Sequence, residues 1–98
     1  MATFILLTKL SPDLASQMKD RAEIGRSWLE QVKAKCPDVK FLAHYALLGQ
    51  FDFLDIYEAP DEKSAAKVSI ISQANGAFSA QSLPAIPYVE YLDLVKEI

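Results

Sequence analysis

Lys40-Phe41-Leu42-Ala43-His44-Tyr45-Ala46-Leu47-Leu48-Gly49-Gln50-Phe51-Asp52-Phe53-Leu54-Asp55-Ile56-Tyr57-Glu58-Ala59 decides the fold of this chain. Two runs rich in aromatic and aliphatic residues, Lys40 to Leu48 and Phe51 to Ala59, are separated only by Gly49 and Gln50. Such a pair predicts a β-hairpin, and Gly at the first central position suits a type II′ turn whose twist matches the strands. That turn sets Leu48 opposite Phe51, Ala46 opposite Phe53, His44 opposite Asp55 and Leu42 opposite Tyr57. Side chains alternate along a strand, so these residues share one sheet face. Register depends on the loop: a three-residue loop would put His44 and Asp55 on opposite faces.

Upstream, Thr3 to Thr8 is a nearly continuous apolar run, the pattern of a central strand covered on both faces. Ser11-Pro12-Asp13 then combines an N-cap residue, a Pro suited to the first helical position and an acidic residue near the positive end of the helix dipole. Leu14, Met18, Ala22, Gly25, Leu29, Val32 and Cys36 recur at three- and four-residue steps, predicting one helix to about Lys35, stopped by Pro37. Gly25 within that stripe predicts a kink or close contact near residues 20 to 26. Downstream, Ala59-Pro60-Asp61 ends the hairpin and caps a helix over about residues 62 to 75, closed by Asn75-Gly76. Ala77 to Ala85 reads as a fourth strand, placed at an edge by Pro84 and Pro87, and Val89, Leu92 and Val95 predict a short terminal helix.

The order is βαββαβ plus a small helix: an α+β, ferredoxin-like domain with a four-stranded antiparallel sheet and two helices on one face. The strands fail to alternate cleanly. Phe51, Phe53 and Tyr57 lie on one side of the third strand, and Leu54 and Ile56 on the other. An apolar face that the helices leave bare is a site of association. The expectation is a homodimer through the sheet faces, a dimeric α/β barrel.

Ninety-eight residues make one domain, which buries about 60 to 65% of the surface its unfolded chain exposes. With 51% hydrophobic and 23% charged residues the chain is not disordered. The single Cys36 excludes an internal disulfide framework. A net charge of -3, with scattered lysines, argues against a nucleic-acid binder. No run of 18 apolar residues is present, and Met1 to Leu10 lacks the pattern of a signal peptide, so a cytoplasmic protein without a membrane partner is expected.

The stretch from Tyr45 to Asp61, with Gly49, Phe51 and Asp52 at the signature positions and Glu58-Ala59-Pro60-Asp61 at the strand exit, resembles the GYD family. The resemblance implies a dimeric α/β barrel of the ferredoxin-like group. Phe51 stands where the name residue of the family is Tyr, so any family activity requiring a phenol there would be missing. The wider relatives include cofactor-free monooxygenases, isomerases and haem-binding enzymes, and fold alone does not choose among them.

The residues nominate one reactive pair. A carboxylate beside an imidazole favours the charged form of each and fixes the ring tautomer, as general acid/base work requires, which makes His44 and Asp55 catalytic candidates. The alternative is a cross-strand ion pair that satisfies two buried polar groups. Tyr45, Tyr57, Phe53, Asp52 and Trp28 are candidate ligand-binding residues. Asp52 also suits a purely backbone-bonding role after the turn, and Tyr45 and Trp28 a core role. One His and one Cys do not form a protein-only metal cluster, so neither metal nor cofactor is expected. Three functions remain: a homodimeric binder of a small apolar or aromatic ligand or accessory protein; a cofactor-independent monooxygenase or isomerase in which His44 is the base, Asp55 its orienter and Tyr57 or Tyr45 a hydrogen-bond donor; and an assembly module without ligand. A cavity beside His44 points to the second, one elsewhere to the first and none to the third.

Overall fold

The computed structural model describes residues 1–98. Its elements are β1 (Ala2–Leu10), α1 (Pro12–Ala15), a 3-10 turn (Met18–Asp20), α2 (Arg21–Lys35), β2 (Lys40–Ala46), β3 (Phe53–Ala59), α3 (Glu62–Ala74), β4 (Ala77–Ala85) and α4 (Tyr88–Lys96). The strands form one antiparallel sheet in the order β2-β3-β1-β4. The fold is thus the α+β, ferredoxin-like arrangement, with β1 central and β4 at an edge. The sheet is open: within one chain no barrel closes.

Local chemistry explains the boundaries. Ser11 Oγ accepts the Leu14 amide at 3.3 Å, with Pro12 at the first helical position. The helix that starts there lasts one turn. It breaks at Ser16 and Gln17, passes through the 3-10 turn and restarts at Arg21, so the single helix expected from Ser11 to Lys35 is two segments. Gly25 lies inside α2, not at the break. The break changes which residues face inward: Met18, assigned to the apolar stripe, is 75% exposed, while Gly25, Trp28 and Val32 face the sheet side. Asp61 caps α3 by accepting the Ser64 amide at 2.8 Å, and Gly76 at φ +100° supplies the left-handed turn into β4.

The hairpin connection departs from a two-residue turn. Pairing ends at Ala46 with Phe53, and Leu47 to Asp52 form a wider loop. His44 still opposes Asp55. Beyond them the register shifts between Phe41 and Ala43, so Phe41, not Leu42, faces Tyr57. The shift turns Leu42 outward and sends Phe41 into the core.

α2 and α3 cover one sheet face, over Phe4, Leu6, Val32, Cys36, Tyr57, Ala59, Ala65 and Val68. The Tyr57 hydroxyl bonds Ser82 Oγ at 2.6 Å and the Ala65 carbonyl at 3.4 Å, so the one phenol in this core is satisfied. The opposite face carries Ile5, Leu7, Leu54 and Ile56, half-buried among themselves, with Tyr45 and Leu83 exposed, and no element packs on it. All nine residues of α4 are exposed as well. The accessible surface of 6825 Å² exceeds by roughly 1,200 Å² the roughly 5,600 Å² expected for a monomer of this mass. The radius of gyration, 14.6 Å, exceeds the compact value of about 12.6 Å. No helix is long and apolar enough to cross a membrane.

Candidate functional site

Between the covered sheet face and the broken helix lies a cavity of about 330 Å³, open on one side. Its floor is Thr8 of β1, His44 of β2, and Phe53 and Asp55 of β3. Leu14, Arg21, Ile24, Gly25 and Trp28 from the two helical segments form the roof, and the end of α3 contributes Ser72 and Asn75. The lining comes from both sides of the helix break, Leu14 before it and Arg21 to Trp28 after it.

Hairpin pairing brings His44 Nδ1 to 3.5 Å from Asp55 Oδ1, ion-pair range but long for a hydrogen bond. Asp55 is 3% exposed, whereas the His44 side chain, 53% exposed, sits at the mouth. Burial is the larger influence on the carboxyl, pushing its pKa up to about 6, and the neighbouring imidazole pulls it part of the way back. A carboxyl whose pKa is raised to about 6 can hold or release a proton close to neutrality, and the imidazole beside it is within reach of solvent. Phe53 links the polar groups: the His44 ring meets its edge at 5.6 Å between centroids, and the Arg21 guanidinium stacks over its face at 5.5 Å. Trp28 Nε1 donates to Ser72 Oγ at 2.8 Å, fixing the indole in the roof.

Of the residues nominated by sequence, His44, Asp55, Phe53 and Trp28 meet at this cavity. The other three do not. Tyr57 is wholly buried in the core and its phenol is engaged by Ser82 and Ala65. Burial also raises that phenol above its ordinary pKa. Tyr45 opposes Leu54 on the bare face, so it lines no pocket between helix and sheet. Neither tyrosine is therefore a hydrogen-bond donor to a ligand at His44. Asp52 Oδ2 accepts the Leu10 amide at 2.7 Å, beside the register shift at the end of β1, and the Asp52 amide donates to the Thr8 carbonyl at 2.8 Å. Its carboxylate holds the hairpin loop to β1. Burial raises the pKa of the Cys36 thiol, which lies in the core away from this pair.

Sequence reading missed Arg21, Leu14 and Ile24. Leu14 was visible only as helix stripe, and Arg21, a charged residue left out of that stripe, shares the inward face of α2 with Gly25, Trp28 and Val32 at helical spacing. Ser16, weaker in helix propensity than the residues on either side of it and close to a Pro-started turn, was the signal available.

The GYD domain family model matches residues 4–95. A protein of Thermus thermophilus called "Glutamine synthetase and cystathionine beta-lyase binding protein" is 28% identical over 96 residues, spanning 98% of this chain and all of the relative. Among solved structures, FFRP-DM1 superposes with a TM-score of 0.55 at 20% identity, over 88% of this chain and the whole of that one. MtbAldR superposes with a TM-score of 0.59 at 20% identity over 88% of this chain, which spans only 53% of MtbAldR. At such identities these two likenesses concern the fold alone.

Proposed function

The chain belongs to the GYD domain family, and from that premise we propose that it is a homodimeric small-molecule-binding accessory protein whose ligand occupies the cavity beside His44 and Asp55. One observation carries this reading. A cavity of about 330 Å³ within a 98-residue domain, lined by apolar side chains with a few convergent polar groups, has the size and character of a ligand site. The accessory role draws on the Thermus relative, whose name describes a protein that binds two enzymes. The dimer pairs the bare sheet faces of two copies into a barrel. The surplus of roughly 1,200 Å² is ample for the roughly 800 Å² that each partner contributes to a standard interface.

Gly25 makes the site testable. It lines the cavity from α2, and a Cβ there meets no atom within 4 Å, so Gly25→Leu directs a side chain into open space. A metabolite library screened by thermal shift is expected to yield compounds that stabilise the unaltered protein and not Gly25→Leu. Equal shifts in both, or none in either, count against the cavity as a binding site.

The cavity adjoins His44, the position expected of the enzyme and not of the binding protein, and this favours a second reading. In that reading a cofactor-independent monooxygenase or isomerase uses His44 as general base on a small aromatic compound, with Asp55 orienting the ring. Neither tyrosine takes part. Should a substrate emerge from the screen, His44→Ala is expected to abolish turnover while leaving binding within a few fold; full turnover in the variant removes the mechanism.

A further inference from the structure

We infer that the cavity takes a small apolar monocarboxylic acid, its carboxylate on Arg21 and its hydrocarbon body against Leu14, Ile24 and Trp28. The inference rests on the cavity being a ligand site, and it adds the class of ligand. Of the fourteen residues around the space, Arg21, His44 and Asp55 alone carry ionisable side chains. Asp55 is matched by His44. Arg21 is matched by nothing: the ion pairs of the molecule are His44–Asp55 and Lys96–Asp93. Its guanidinium donates one bond, from Nη2 to the Leu14 carbonyl at 3.0 Å, and lies over the Phe53 ring. A guanidinium has five N–H donors, so those not on the Leu14 carbonyl are left to solvent or to a ligand at the rim of the cavity.

A half-buried cation that is held in place, stacked and short of acceptors is a preformed anion site, and its fork geometry matches a carboxylate. The neutral polar groups nearby are already engaged. Ser72 receives Trp28 and donates to the Val68 carbonyl, and Asn75 is occupied by Gln31 and the Ile71 carbonyl. They offer little to a polar body, whereas Leu14, Ile24 and Trp28, beside Arg21 in the roof, are aliphatic and aromatic. A dianionic ligand would also bring a second negative charge into a cavity that Asp55 already lines. One carboxylate and one apolar body fit.

Trp28 is the only tryptophan, so its fluorescence reports the cavity without a label. Phenylacetate and its neutral analogue 2-phenylethanol are titrated against the full chain. Phenylacetate is expected to bind saturably, and more tightly than the alcohol by roughly tenfold to a hundredfold, the range of a charge-assisted hydrogen bond. Arg21→Gln is expected to remove that preference while leaving the alcohol unchanged, and Arg21→Lys to restore part of it. Equal affinity for acid and alcohol in the unaltered chain, a comparison that needs no variant, overturns the acid class and leaves the cavity standing as a ligand site. Equal loss for both compounds in Arg21→Gln overturns the role of Arg21 as carboxylate partner. No saturable response to either compound overturns this inference together with the binding role of the cavity.

Discussion

Replacing Asp55 by Asn keeps the shape of the side chain and removes its charge, with a calculable effect. The carboxyl is 3% exposed and burial has pushed its pKa up to about 6 from 3.8. A group that holds its proton more tightly when folded stabilises the fold while protonated. This contribution is complete below pH 3.8, declines as the pH rises through about 6, and is gone above it. A shift of about 2 units at 1.36 kcal/mol each makes ionised Asp55 cost about 3 kcal/mol at neutral pH, with the attraction of His44 already included. The amide of the Asp55→Asn variant carries no such charge. Urea unfolding of both proteins at one fixed concentration, in steps from pH 4 to pH 7.5, isolates the effect as the difference between two stability curves. The stability of Asp55→Asn relative to the unaltered protein is expected to climb by about 2 to 3 kcal/mol across that window. A difference that stays level, or falls as the pH rises, refutes the assignment of a buried, proton-hungry carboxyl.

Further outcomes follow from the same geometry. Gly25→Ala, in the interior of α2 with open space at the Cβ position, is expected to raise stability by roughly 0.5 to 1 kcal/mol, read from the urea midpoint. Gly76→Ala is expected to lower it by about 1 to 3 kcal/mol, because φ is +100° and the added Cβ would stand 2.5 Å from Leu14 Cδ2. Tyr57→Phe removes the hydroxyl bonds to Ser82 and Ala65 and should cost on the order of 1 kcal/mol in thermal unfolding, whereas Tyr45→Phe on the bare face should leave the core unaffected. Leu54→Glu puts a charge in the middle of that face and should shift sedimentation to the single-chain mass while circular dichroism stays native.

Most of the fold was legible because its signals are local. Apolar runs, Ser11-Pro12, Asp61 and Asn75-Gly76 marked strands, starts and stops within a residue or two, and β1 read as central because its run is apolar on both faces. The departures have tertiary causes. The hairpin loop widens where the Asp52 carboxylate leaves the hairpin to take the Leu10 amide across the sheet. The register shift at Leu42 sends Phe41 beneath Trp28, 5.4 Å between ring centroids, which no count of alternating residues foretells. His44 and Asp55 oppose each other because they lie on the loop side of that shift. The cavity was hidden because its lining is gathered from separate strands and helices, and Arg21, being charged, reads as an ordinary solvent-facing residue although it is in helical phase with Gly25, Trp28 and Val32.

The bare sheet face bears most directly on the account, since both the barrel and the accessory role assume that a second copy covers it. Sedimentation equilibrium of the unaltered chain at micromolar concentration measures this. A dimer through that face sediments as a particle of twice the 10.9 kDa chain mass, and a particle of 10.9 kDa that persists as the concentration rises contradicts it.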